Sequence, residues 1–212
     1  MQSDKLNAYL EELIPKRHEL LDEIEQYAKE NSVPIMEIAG IEVMIQLLRI
    51  HKPHTILEIG AAIGYSALRM AYSLPECRII TIERDATRYE QAKQNIQKAK
   101  KDAQITIIEG DALESEAFIM NFAPFDAIFI DAAKGQYKRF FELYSRYLAE
   151  DGIIITDNVL FKGLVYEKEI ENKRTRNLAK KIHDFNQWLM NHPDYHTVIL
   201  PVGDGVAISK KR

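Results

Sequence analysis

The sequence predicts an α/β fold, a mostly parallel sheet with helices on both faces, and three observations carry that expectation. From about residue 53 onward, short apolar runs alternate with amphipathic segments, the pattern of repeated βα units. The runs are continuous, as in Ala127-Ile128-Phe129-Ile130 and Ile153-Ile154-Ile155-Thr156, which suits strands buried on both faces rather than strands with one wet face. The first run opens into a turn bearing Gly60 and Gly64, followed by a helical pattern.

Taken in order, residues 3 to 30 and 35 to 51 read as two helical segments joined by Asn31-Ser32-Val33-Pro34, where proline discourages helix at the preceding residue. Strands are expected at Thr55 to Gly60, Arg78 to Glu83, Gln104 to Gly110, Phe125 to Ala132 and Gly152 to Asn158. The rhythm then changes. Tyr195 to Pro201 and Val206 to Ser209 flank Gly203-Asp204-Gly205, a turn signal between two extended runs, so the sheet is expected to end in an antiparallel pair. No repeat, low-complexity tract or linker divides the chain. Residues 1–212 are expected to form one domain, with a helical cap over 1–51 and a core over 52–212.

Composition excludes several classes. With 46% hydrophobic and 28% charged residues and no apolar run near the ~20 needed to cross a bilayer, no membrane partner is expected. The amino terminus lacks the uninterrupted apolar stretch of a secretory signal, so a cytoplasmic location is expected. A lone cysteine, Cys77, supports neither a disulfide nor a zinc cluster and reads as a small buried apolar residue. A net charge of −4 argues against nonspecific coating of nucleic acid. Two basic clusters remain: Lys93, Lys98, Lys100 and Lys101, and then Lys168, Lys173, Arg174, Arg176, Lys180 and Lys181. Each is either a solvated helix face or a nucleic-acid footprint.

The turn Glu58-Ile59-Gly60-Ala61-Ala62-Ile63-Gly64-Tyr65-Ser66 lets backbone pass close to a ligand at the start of a helix. It is also what any tight βα turn looks like. Two acids tilt the balance. Glu83 ends the second strand, where a carboxylate can accept from both ribose hydroxyls. Asp111-Ala112 follows the third, placed to meet an adenine amino group. A nicotinamide dinucleotide would fit the same strand ends, but the turn lacks the middle glycine of G-x-G-x-x-G, so an adenosine ligand without pyrophosphate fits better.

Asp131 ends the fourth strand and Asp157-Asn158 the fifth. If those strands are neighbours, ~4.8 Å apart, both carboxylates meet at one sheet edge and repel. A divalent cation relieves the repulsion, and two carboxylates with an amide carbonyl suit Mg²⁺, Mn²⁺ or Ca²⁺. Aspartates also cap helices at such turns; it is the pair, with Asn158 and Lys134 beside it, that favours the metal. Lys134 is then a candidate to accept a proton or steady an oxyanion, rather than a plain surface lysine.

The segments EIGAAIGYS (58–66), TIE (81–83), GDA (110–112), IFIDAAKGQY (128–137), DNVLFKG (157–163), HDFNQWL (183–189) and LPVGDGVAI (200–208) together resemble the cation-dependent O-methyltransferase family, which includes catechol and caffeoyl-CoA O-methyltransferases. The resemblance runs from about residue 35 to the end. It implies a Rossmann-like class I methyltransferase fold with a seven-stranded sheet and S-adenosylmethionine as cofactor. Cofactor contacts would come from Met36, Glu58, Gly60, Gly64, Ser66, Glu83, Asp111, Ala112 and Asp131. Metal ligation would fall to Asp131, Asp157 and Asn158, catalysis to Lys134 with Asp131, and a homodimer is expected. Plant members often have Asp where this chain has Ala133, and tryptophan where it has Phe161. Within the family the chain looks most like bacterial members that methylate 5-hydroxyuridine at the tRNA wobble position. The expected partner is therefore a tRNA anticodon loop, with Lys168, Arg174 and Arg176 as candidate phosphate contacts. The alternatives are a catechol or hydroxycinnamoyl acceptor, a nicotinamide-dependent oxidoreductase, and a noncatalytic RNA-binding module.

Overall fold

The computed structural model describes residues 4–212. Three helices precede the first strand: α1 (Asp4–Glu12), α2 (Glu19–Glu30) and α3 (Ile38–His51). The segment expected as one helix over 3 to 30 is thus two, and its expected start at residue 3 lies outside the described residues. The break is set by Pro15, whose ring is incompatible with helix behind it and which disfavours helix at Ile14. Helix restarts after His18, whose Nδ1 accepts from the Leu20 N–H at 3.3 Å.

The core follows as β1 (Thr55–Ile59), α4 (Tyr65–Ser73), β2 (Arg78–Glu83), α5 (Ala86–Lys98), β3 (Ile105–Glu109), α6 (Glu116–Ile119), β4 (Phe125–Ile130), α7 (Tyr137–Tyr144), β5 (Leu148–Thr156), α8 (Lys173–Met190), β6 (Tyr195–Leu200) and β7 (Val206–Lys211). The seven strands form one sheet in the order β3-β2-β1-β4-β5-β7-β6. Pairings from β3 to β5 are parallel, whereas β7 runs antiparallel to both β5 and β6. The mostly parallel sheet and its antiparallel carboxyl-terminal hairpin therefore agree with the sequence. β5 starts at Leu148 rather than Gly152. Exposed Glu150 and Asp151 hide its first half from any apolar pattern, and the pairing steps from Phe125↔Leu148 to Ala127↔Ile153 across a bulge.

Both faces of the sheet are covered. On one, Ile56, Ile79, Phe129 and Ile155 pack with Leu20, Ile24, Met44, Leu48 and Leu68 of α2, α3 and α4. On the other, Leu57, Ile80, Ile128 and Ile154 pack with Phe140, Phe141, Phe185 and Leu189 of α7 and α8. The continuous apolar runs follow from this double burial. Cys77 is buried and unpaired, as expected of a small apolar residue. No helix among the described residues is long and apolar enough to cross a membrane.

The chain begins at the centre of the sheet, builds one half outward through β2 and β3, then returns to lay β4 on the other side of β1. The carboxyl ends of β1 and β4 therefore diverge into a crevice, the place where an open parallel sheet takes its ligand. Gly60 makes the closest backbone crossing there, at φ +102°, and a Cβ on it would lie 2.1 Å from the Asp131 carbonyl oxygen. Gly60→Ala is expected to destabilise by at least ~2 kcal/mol through positive-φ strain plus this clash, read as a fall in the denaturant midpoint; an unchanged midpoint would refute the packing argument.

Candidate functional site

A cavity of about 540 Å³ opens at that crevice, within the size range of small-molecule sites. Its walls come from the ends of five parallel strands. Gly60 and Ala62 follow β1, Glu83 and Arg84 β2, Asp111 and Ala112 β3, Asp131 to Lys134 β4, and Asn158, Phe161 and Lys162 β5. Ile35 and Glu37 close it from the α2–α3 connection, and Asp204 from the β6–β7 turn.

One end of the cavity is organised by Glu83. Its carboxylate accepts from the Ala62 N–H at 2.7 Å and the Asp85 N–H at 2.9 Å, tying the glycine turn after β1 to the turn after β2. Asp111 Oδ1 accepts from the Leu113 N–H at 2.9 Å, and the Arg84 guanidinium stands 3.9 Å from its other oxygen. Gly60, Glu83, Asp111, Ala112 and Asp131 all face this space. Met36, Glu58, Gly64 and Ser66 do not line it.

Glu58 lies one layer below. It is fully buried, and its two oxygens accept from the Ser66 and Thr81 hydroxyls. These bonds brace the helix after the glycine turn against β1 and β2. Burial is the main cause that pushes its carboxyl up to about 7; the hydroxyl donors oppose this, while Asp131 and Glu83 add repulsion.

The other end is acidic. Main-chain bonds from Asp131 N to the Ile59 carbonyl (3.0 Å) and from Asp157 N to the Ile130 carbonyl (3.0 Å) continue the ladder past β4 and β5, so the two aspartates leave adjacent strands side by side. Burial pushes Asp131 up to about 6, with Lys134 opposing and Asp204 adding to the rise. Asp157 is raised well above the carboxylate range, first by burial and then by the charge of Asp131. Lys134 Nζ donates to Asn158 Oδ1, and Asn158 Nδ2 donates to Asp157 Oδ2 at 2.9 Å. Asn158 itself sits at φ +59°. Tyr137, wholly buried, donates its hydroxyl to the Asp157 carbonyl at 2.9 Å.

The structure thus brings Asp131, Lys134, Asp157 and Asn158 together. Lys168, Arg174 and Arg176 are exposed and do not line the cavity, and the Arg176 guanidinium is spent on the Ile170 carbonyl at 3.0 Å. In the other basic cluster Lys101 Nζ donates to the Ala71 carbonyl at 3.2 Å, a structural use. Sequence reasoning missed Asp204, Tyr137 and Asn186. The turn Gly203-Asp204-Gly205 was read only for its glycines, and the partners of Tyr137 and Asn186 lie 20 and 27 residues away in sequence.

Residues 11–212 match the O-methyltransferase family. A caffeoyl-CoA O-methyltransferase of Populus kitakamiensis is 30% identical over 227 residues, covering 100% of this chain and 95% of that one. A Staphylococcus aureus structure, provisionally assigned as a caffeoyl-CoA O-methyltransferase, superposes with a TM-score of 0.94 at 38% identity, covering 99% and 100% of the two chains. A Bacillus cereus O-methyltransferase in complex with SAH gives a TM-score of 0.84 at 25% identity, over 98% and 97%.

The Glu58 carboxyl yields a pH prediction. Raised from 4.5 to about 7 in the fold, it binds its proton more tightly folded than unfolded. Its contribution is therefore fully present below pH ~4.5 and is lost as pH climbs to about 7, by up to ~3 kcal/mol. Glu58→Gln is expected to remove that loss, so its stability relative to the parent rises across this window. Parallel pH profiles of urea unfolding for the two proteins would contradict the assignment.

Proposed function

This chain belongs to the O-methyltransferase family, and from that premise we propose that it transfers a methyl group from S-adenosylmethionine to one hydroxyl of a vicinal oxygen pair, with 5-hydroxyuridine in a tRNA anticodon loop as acceptor. One observation carries the reading: Asp131, with buried Asp157 leaving the adjacent strand beside it, opens on the same cavity as Glu83 and Asp111.

The residues fit both absent groups. Two neighbouring carboxylates, one raised by the charge of the other, and an adjoining amide oxygen are the donor chemistry of a hard divalent cation, so Asp131, Asp157 and Asn158 would hold Mg²⁺, Mn²⁺ or Ca²⁺. Among the described residues no three His, Cys, Asp or Glu side chains are grouped to hold a metal, so the Asn158 amide oxygen is a necessary part of this donor set. When bound, the cation supplies Lewis acidity that favours an ionised acceptor oxygen. Glu83 and Asp111 would present carboxylates to ribose hydroxyls and an adenine amino group; that a Bacillus cereus relative was solved with SAH supports an adenosyl ligand. When bound, S-adenosylmethionine would supply an electrophilic sulfonium methyl and leave as S-adenosylhomocysteine.

The chain's own contribution is positioning and charge. Lys134 Nζ, already oriented by Asn158 Oδ1 at the cavity wall, holds the acceptor oxyanion by a charge-assisted hydrogen bond. Tyr137 fixes the Asp157 carbonyl and with it the end of β5. The hydroxyl proton of the acceptor leaves to solvent.

5-Hydroxyuridine places its hydroxyl beside the 4-carbonyl oxygen, a pair much like a catechol, and a loop base can be splayed out without melting a duplex. Cavity-lining and exposed cations support a polyanionic acceptor. Lys162 lines the cavity, Lys181 Nζ comes within 3.8 Å of where a Gly135 Cβ would sit, and Lys168 and Arg174 are exposed. A free catechol or hydroxycinnamoyl acceptor is the second reading, favoured by the activity named for the Populus relative.

Transfer from labelled S-adenosylmethionine to tRNA carrying 5-hydroxyuridine, measured beside transfer to catechol, separates the two. The expected result is methylation of the tRNA. Lys168→Ala with Arg174→Ala should lower kcat/KM for tRNA by about tenfold, with a shallower salt dependence and no change for catechol. Methylation of catechol alone would overturn the tRNA reading. Asp131→Ala should lower kcat/KM for either acceptor by at least ~100-fold in a protein that still folds, and excess chelator should do the same to the parent. Activity indifferent to both would overturn the metal reading.

A further inference from the structure

The segment that carries Asp157 and Asn158 on toward the cavity mouth is held in an unfavourable backbone shape. Asn158, Phe161 and Lys162 all take positive φ, at 59°, 47° and 54°, and each such residue costs of order 1 kcal/mol without glycine. Side chains and carbonyls from other elements hold it there. Asn186 of α8 donates Nδ2 to the Val159 carbonyl at 2.7 Å. The β6–β7 turn supplies the rest: the Gly205 carbonyl accepts from Val159 N at 3.1 Å, the Asp204 carbonyl from Leu160 N at 2.9 Å, and Asp204 Oδ1 from Lys162 N. The packing is close, because a Cβ on Gly205 would lie 2.3 Å from Leu160 Cγ.

Asp204 is therefore the only side chain in this set that caps the strained Phe161–Lys162 pair, and it does so from inside the cavity wall, 9% exposed. We infer that Asp204 is a positioning residue for methyl transfer: its carboxylate oxygen locks the Lys162 amide and so fixes the acceptor-side wall, Phe161 and Lys162, without touching the donor-side residues Glu83 and Asp111. The inference rests on the methyl-transfer reading for what the wall faces, and on hydrogen-bond geometry alone for the lock. The role needs an acceptor atom, not a charge. An asparagine keeps the acceptor oxygen, whereas alanine removes it.

Asp204→Ala and Asp204→Asn test this with two readouts. In hydrogen exchange, Asp204→Ala should speed the amides of residues 160–163 by about tenfold or more, while Asp204→Asn stays near the parent. In kinetics on the tRNA and catechol probes, Asp204→Ala should raise acceptor KM by about tenfold, leave the SAH Kd within about twofold, and Asp204→Asn should restore KM. Unchanged exchange in Asp204→Ala overturns the proposal, as does an Asn variant as impaired as Ala, which would show that charge is what matters. Should Asp204→Ala fail to fold, the Asn variant still decides, since fast exchange in it sinks the lock. A parent that methylates neither probe would refute the acceptor assignment and leave the exchange result to judge Asp204 by itself.

Discussion

Two carboxylates set side by side, Asp157 buried and Asp131 at the cavity wall, constrain most of this molecule. Asp131 and Asp157 occupy matching positions just past the ends of adjacent parallel strands, where the ladder itself sets their separation. Burial raises both, the charge of Asp131 raises Asp157 further, and Lys134 opposes the rise in each. A fold that optimised only stability would place apolar residues there, as it does just before them at Ile130 and Ile155. Carrying unfavourable charge at the point where the sheet naturally opens is the signature of a site shaped for a ligand that is itself charged.

The surrounding architecture keeps that pair in place. Gly60 lets β1 cross so close to the Asp131 carbonyl that no side chain fits between them. Glu58 anchors the base of the cofactor-side turn through Ser66 and Thr81, and Glu83 ties its top through Ala62. A second network links the helical cap to the same turn. Tyr65, the first residue of α4, donates to Glu25 of α2 at 2.5 Å and accepts from Arg69 at 2.9 Å, while Arg69 reaches Glu42 of α3. The cap is thus fastened by polar bonds, as well as by its apolar packing, to the helix that begins where the glycine turn ends.

What was legible in the sequence is what depends on local pattern. Strands buried on both faces leave continuous apolar runs, so β1 to β4 could be located within a residue or two, and acidic residues at their ends announced where chemistry would gather. The first half of β5 was not legible, because Ala149, Glu150 and Asp151 point to solvent or lie at a bulge and break the run. Pro15 was legible in principle and was passed over, since the amphipathic period continues on both sides of it. Glu58 and Ser66 illustrate a different limit. Motif position places them at a cofactor turn, yet whether a side chain faces the cavity or the layer beneath depends on the twist of β1 and on who donates to it.

Asp204 shows why the cavity wall built from the loop after β5 was the least readable part of the site. Its partner, Lys162, lies 42 residues earlier, and the bond joins the last hairpin to the loop after β5 only because β7 pairs with β5 in the antiparallel sense. That strand reversal brings the 203–205 turn back over the carboxyl ends of the parallel strands, the edge at which every other site residue sits. A parallel seventh strand would have sent its preceding turn to the opposite edge. The antiparallel hairpin, which reads in the sequence as a mere end to the βα rhythm, is thus the device that closes the Phe161–Lys162 side of the cavity.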